Sequence, residues 1–146
     1  MPPQITSEES SYVKLYIILP LILSAFERDK RIVEKVFKTP KPYVTLLNNA
    51  IKQVEGEHKE VRRKFRLHGL KVYEERHTEM GIEAKYLCRG YHYNMTLSWG
   101  LIKAESTVLM EKFLGLDIFK YINPAIPGDE DTYRLPSDKE KSPASP

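Results

Sequence analysis

Residues 82–116 read IEAKYLCRGYHYNMTLSWGLIKAESTVLMEKFLGL, and how this stretch is assigned decides the fold class of the whole chain. Leu87, Gly90, Tyr91, Asn94, Leu97, Leu101, Ala104, Val108 and Leu109 fall on one broad face of a helix, rather than on every second position as in a strand. No proline interrupts the run from Ile82 to Leu116. Gly90 and Gly100 each cost a helix about 1 kcal/mol relative to alanine, a cost that a neighbouring helix crossing closely there, or room for a ligand beside the aromatic cluster, would explain. The period therefore predicts one long third helix over Ile82–Leu116.

Upstream of it, Leu70–Gly81 carries a brief alternation at Leu70-Lys71-Val72-Tyr73, and Glu74 to Glu79 is too polar to bury. It reads as a connector that returns the third helix antiparallel to the second, with Thr78 as the cap. The second helix is expected from Lys41 to Leu67, with Tyr43, Leu46, Leu47, Ala50, Val54, Val61 and Phe65 as its apolar seam. Pro40 or Pro42 suits its first turn, and Gly69 suits a left-handed termination. In the first helix Leu15, Ile18, Leu19, Ile22, Phe26, Val33 and Val36 repeat at helical steps, with Pro20 near its start or at a kink. The apolar run Leu15–Leu23 ends well short of the ~20 residues of a membrane span. Glu8 and Glu9 also precede Lys14, where an export signal carries basic residues. Neither export nor a membrane partner is expected.

The ends differ in composition from the middle. Met1–Ser11 reads as a flexible arm and residues 12–122 as one helical domain, in which Asp117–Ile122 docks as a short segment after the third helix. Residues 123–146 contain five prolines and many charges, too little apolar surface for a core, and read as a disordered tail. The resulting expectation is an all-α protein, three long helices in an antiparallel bundle-like arrangement.

A chain of 146 residues supports one core. Its net charge of +3 divides unevenly, because Asp117 onward carries six acidic and four basic residues and is −2, leaving +5 on the remainder. That excess permits a nucleic-acid partner without demanding one. The single cysteine, Cys88, excludes an intrachain disulfide and a cysteine-rich zinc site, and fits a reducing, cytoplasmic compartment. Flanked by Tyr86 and Leu87, it reads as a small packed residue rather than a nucleophile.

Three constellations bear on function. Glu55 with His58, and Glu74 with His77, have the Glu-x-x-His spacing of carboxylate-bridged di-metal bundles, but the second pair falls in the polar connector and the first among charged residues. They are weak candidates, and neither a metal nor another cofactor is expected. Lys59, Arg62, Arg63, Lys64, Arg66 and Lys71 form a basic cluster that suits an anion such as nucleic acid, and equally complements the negative end of a helix. Tyr86, Tyr91, Tyr93 and Trp99, with His92 and Asn94 among them, need hydrogen-bond partners if buried and otherwise suit a protein-binding surface. No phosphate-binding glycine loop, zinc motif or nucleophile-with-base signature is present.

The chain resembles a family of short, functionally uncharacterised helical proteins of Bacillus-type bacteria. The resemblance rests on Leu19 to Asp29, on Lys41-Pro42-Tyr43, on His68-Gly69-Leu70-Lys71-Val72 and on Tyr86-Leu87-Cys88-Arg89-Gly90-Tyr91, and spans Tyr12 to Leu114. It implies a bacterial, cytoplasmic, helical protein with no catalytic residues to carry over. The expected function is non-enzymatic, through protein–protein contact with a second copy or another protein. A nucleic-acid-associated regulator using Lys59 to Lys71 is the alternative, and a metal-binding bundle the second alternative.

Overall fold

The computed structural model describes residues 4–123, 125, 133 and 135–140. Two long helices come first, α1 (Ser7–Val36) and α2 (Lys41–His68), followed by three strands, β1 (Leu70–His77), β2 (Gly81–Cys88) and β3 (Tyr91–Ser98). Helix α3 (Trp99–Phe113), a 3-10 turn (Phe119–Tyr121) and a short α4 (Pro136–Glu140) complete the described chain.

The fold is therefore mixed α/β and not an all-α helical bundle. The stretch expected as a long third helix is a β-hairpin followed by a shorter helix, and the expected connector Leu70–Gly81 is largely strand. Apolar residues do alternate on each strand: Ile82, Ala84, Tyr86 and Cys88 are all buried on β2, and Leu97 is buried with Met95 and Tyr93 half-buried on β3. The inward positions step by two within each strand and by three across the turn, from Cys88 to Tyr91, whereas the helical set Leu87, Gly90, Tyr91, Asn94 and Leu97 mixes the two faces of the hairpin with its turn. The turn itself is Arg89-Gly90, with φ of 50° and 86°. Positive φ at both central residues is what a two-residue hairpin with the sheet's right-handed twist requires. Asparagine-glycine would have announced it; arginine-glycine does not. Thr78 caps no helix, and instead closes the β1–β2 turn, where its hydroxyl accepts from the amides of Met80 and Gly81 (both 3.2 Å).

The sheet is an antiparallel meander with β2 central. A bulge at Tyr73 shifts the β1–β2 register between Val72 and Glu74, while β2–β3 pairs without interruption from Cys88–Tyr91 to Gly81–Ser98.

Helices α1 and α2 lie antiparallel, since Tyr16 near the start of α1 stacks on Phe65 near the end of α2 (4.7 Å), while Phe37 meets Tyr43 at the opposite end. Their ends follow local chemistry. Thr6 caps α1 with a reciprocal capping box, Thr6 Oγ1 accepting from the Glu9 amide (3.0 Å) and Glu9 Oε1 from the Thr6 amide (3.2 Å). Helix α1 thus begins inside the stretch expected as an arm; of that arm, residues 1–3 lie outside the described residues. Pro42 sits in the first turn of α2, and Gly69 (φ 65°) ends it in the left-handed conformation.

The core gathers Tyr12, Leu15, Ile18, Ile22 and Phe26 of α1, Ala50, Val54, Val61 and Phe65 of α2, the inner face of the sheet, and Ile102, Leu109 and Phe113 of α3. Each large side chain buried there contributes about 1.5–3 kcal/mol. By length and composition α1 is apolar enough to cross a membrane, but 56% of its most apolar window is buried against the rest of the chain, the pattern of a core helix. Leu135 is buried beside α4, and Asp138 of α4 pairs with Lys112 of α3. The rest of the tail expected to be disordered lies outside the described residues, apart from residues 123, 125 and 133.

Candidate functional site

Three places concentrate chemistry or exposed apolar surface. The first is an ionic cluster at the N-terminus of α1. Glu9 is almost fully buried, and its Oε2 receives the Arg89 guanidinium (2.6 Å) and the His68 ring (Nδ1 at 3.0 Å), while Oε1 takes the Thr6 amide. Burial pushes the Glu9 carboxyl up, but the Arg89 hydrogen bond, the Thr6 amide, the His68 hydrogen bond and the Arg89 charge outweigh it and hold the carboxyl down at about 2. The neighbouring Cys88 thiol lies 4.0 Å from Glu9 Oε2 and 3.8 Å from the His68 carbonyl, and is pushed up by burial and by the Glu9 charge. A carboxylate with so low a pKa is a poor general base, and a thiol raised above its usual range is a poor nucleophile. What the cluster does is mechanical. It fastens the Arg89-Gly90 turn, and with it the β2–β3 hairpin, to the capped end of α1.

The sequence contained a signal for this cluster. Thr6-x-x-Glu9 before an apolar run is a capping box, and it lies within the stretch whose composition reads as an arm. The partnership with Arg89 is eighty residues away in the chain and had no local signature.

The second place is the tip where α1 turns into α2. Val36 is 70% exposed, Tyr43 50%, Ile32 48%, Leu46 46% and Phe37 44%. Ile32 and Val36 are four residues apart on α1, Tyr43 and Leu46 three apart on α2, and the Phe37 and Tyr43 rings touch edge-to-face at 5.0 Å. Lys35, Lys38 and Lys41 are exposed around them. Val36, Tyr43 and Leu46, expected in the core seams, therefore form an outward patch. The helical period had put them on the correct face, but the sheet and α3 cover only the other end of the hairpin.

The third place is the sheet. Of the aromatic residues expected at an interaction surface, Tyr86 is in the core, stacked on its cross-strand partner Tyr93 (5.7 Å), and Tyr93 is half-buried. Tyr91 and Trp99 are exposed at the two ends of β3. Trp99 is held by donation from its indole nitrogen to the Thr78 carbonyl (2.8 Å) and by the edge of His77. On the outer face Tyr73 reaches His92 (2.9 Å), and Lys85–Glu74 (3.2 Å) and Arg76–Glu83 (2.5 Å) bridge adjacent strands.

The basic cluster divides. Lys59, Arg62 and Arg66 are exposed along one stripe of α2, and form no ion pair among the described residues. Arg63 is occupied by Glu60 (3.0 Å), Lys64 is half-buried with contacts of its own, and Lys71 stands on β1. The two Glu-x-x-His pairs do not converge, since Glu55 and His58 lie on α2 while Glu74 and His77 lie on β1, where a three-residue step points to opposite faces. Among the described residues no group of three or more potential metal ligands is assembled. Burial, reinforced by the Arg62 charge, lowers the His58 pKa and favours its neutral ring.

Two further carboxylates are buried on helices. Glu105 pairs with Lys14 (2.9 Å), and Glu57 accepts from the Ser137 hydroxyl of α4 while its Oε2 has no partner among the described residues. Burial pushes the Glu57 carboxyl up.

The structure thus defines a small α/β protein, a helical hairpin with one end covered by an antiparallel sheet. The family described as YhjD protein matches residues 4–118, and the chain belongs to that family. No curated protein and no solved structure gave a match.

Proposed function

We propose that this protein is a non-enzymatic contact module that binds a protein partner through the α1–α2 tip. The observation that carries the reading is the exposed group Ile32, Val36, Phe37, Tyr43 and Leu46, a patch of large apolar side chains at the end of a rigid hairpin. Monomeric proteins seldom leave such residues contiguous and uncovered, and aromatic anchors dominate binding energy at interfaces. Lys35, Lys38 and Lys41 set the electrostatics of the rim, so the matching surface is an apolar groove with acidic borders.

The test is comparative capture from the native cell with wild-type protein and with Val36→Glu and Tyr43→Glu as bait. The reading expects a partner retained by wild type and lost by both variants. Equal retention by all three would count against it.

A second reading has a specific observation in its favour. Lys59, Arg62 and Arg66 present three aligned cations to solvent, which suits the phosphate backbone of a nucleic acid. Binding of this kind weakens steeply with salt, and Arg62→Glu with Arg66→Glu abolishes it. Absence of any DNA or RNA shift at low salt would remove it.

A further inference from the structure

We propose that two copies of this chain associate through β3, pairing antiparallel about a two-fold axis at Asn94, so that their sheets join into one. This surface is separate from the α1–α2 tip, and the inference stands or falls without it.

The two edges of the sheet are built differently. β1 carries Lys71, Glu74, Glu75 and Arg76, is bulged at Tyr73, and places the charged Glu75 on the same face as the buried Ala84. Charge, a bulge and an inward-facing carboxylate are the devices that stop an edge from recruiting another strand. β3 has none of them. Its eight residues, Tyr91 to Ser98, include no charged side chain and no proline, and pair with β2 without a bulge.

The backbone phase of β3 follows from its two ends. In a two-residue hairpin the closing pair, here Cys88 and Tyr91, exchanges both hydrogen bonds. At the far end the Trp99 amide donates to the Met80 carbonyl (3.3 Å), which confirms that odd-numbered residues bond to β2. The amides and carbonyls of His92, Asn94 and Thr96 therefore point away from the sheet, and no described residue takes them up in a turn, loop or cap bond.

A second β3 is the occupant this edge fits. With the axis at Asn94, His92 faces Thr96 of the other copy, Asn94 faces Asn94, Tyr93 faces Met95 and Tyr91 faces Leu97. Polar residues meet polar on the outer face and apolar residues meet apolar on the inner face. No like charges are opposed, because the strand has none. The outward groups align as hydrogen-bonded pairs, giving about six new backbone bonds. Homotypic pairing of β1 would instead bring charged side chains together across the seam.

The test uses the full chain in sedimentation equilibrium across the micromolar range. Wild type is expected to be dimeric. Asn94→Lys and Asn94→Asp each oppose like charges at the axis and are expected to weaken self-association at least about tenfold, and an equimolar mixture of the two restores it. Register is read by oxidation: Asn94→Cys faces itself at the ~5.5 Å Cα separation of a hydrogen-bonded pair, within disulfide reach, and cross-links. Thr96→Cys faces His92 and does not. A monomeric wild type, undiminished association of the Asn94 variants, or equal cross-linking at the two positions overturns the proposal. So does dissociation of the dimer by Val36→Glu, which would move self-association to the tip.

Discussion

The same two helices end in opposite ways. At the α1 N-terminal end, Tyr12 and Phe65 share one core with the inner residues of the sheet, Tyr16 stacks on Phe65, and the buried Glu9 ties the β2–β3 turn down through Arg89. At the tip, Phe37 and Tyr43 make a comparable aromatic contact with nothing over it. The ring chemistry is alike, so what separates core from surface is the cover. Roughly 25 cal/mol of favourable free energy accompanies each Å² of apolar surface removed from water, and the tip is where that free energy is still uncollected.

The comparison is broken most severely by lifting the sheet. Gly81 opens β2 opposite Ser98, and a Cβ there would lie 2.0 Å from the Leu97 carbonyl oxygen, a backbone atom that can yield only if β3 moves. Gly81→Ala is expected to cost at least about 3 kcal/mol, read as a lowered urea midpoint. A midpoint within experimental error of wild type would mean that the strands tolerate separation and that the cover is loose.

The clamp comes next. Glu9→Ala leaves Arg89 and His68 without their carboxylate, and is expected to cost about 2 kcal/mol, less than the ~3–5 kcal/mol of a fully buried pair because both partners reach solvent. Arg89→Asn separates charge from conformation, since asparagine tolerates the left-handed backbone that Arg89 adopts at φ 50°. If the ion pair matters, Arg89→Asn is destabilised; if Arg89 serves only the turn, it is as stable as wild type or more so.

Acid tests the same clamp without mutation. The Glu9 carboxyl is lowered from 4.5 to about 2 in the folded chain, so its contribution is complete above about 4.5 and is lost as pH falls toward 2. The loss is on the order of 2 kcal/mol, and Glu9→Gln removes that part of the pH dependence. Glu57 runs the other way. Its raised carboxyl favours the fold when protonated, and that contribution fades as pH rises through its folded-state value. Denaturation curves of Glu9→Gln and Glu57→Gln against pH should therefore depart from wild type in opposite senses.

The covered end was the harder one to read. Periodicity located α1 and α2, and Pro42 and Gly69 marked the bounds of α2, because these are local properties of the chain. The cover was not legible because Leu87, Gly90, Tyr91, Asn94 and Leu97 match a helical period only by mixing both faces of the hairpin with its turn, and arginine seldom marks a turn with positive φ. Tyr86 shows how this carried into the site: on a helix it belonged to an aromatic surface group, whereas on β2 its alternation with Ala84 and Cys88 puts it inside. Tyr91 shares the parity of the inward residues, and both it and Trp99 are exposed because they stand at the two ends of β3. The tip patch was half legible. Spacing placed Val36, Tyr43 and Leu46 on inward faces, but only the three-dimensional extent of the sheet reveals that nothing lies opposite them.

The smallest expected stability effect is at that tip, and it sharpens the comparison most. Val36→Ser and Tyr43→Ser each remove apolar surface that is already half or more in water, so each should shift stability by no more than about 0.5 kcal/mol. The same change in the core, Ile18→Ser, removes a side chain that is wholly buried and leaves both a cavity and an unpartnered hydroxyl, a loss several times larger. If the tip residues serve a partner, their cost falls on binding and not on folding: urea midpoints of Val36→Ser and Tyr43→Ser stay with wild type while capture of the partner is lost. A large loss of stability in either variant would show instead that the tip is sealed within the folded chain, and the two ends of the hairpin would then be equivalent after all.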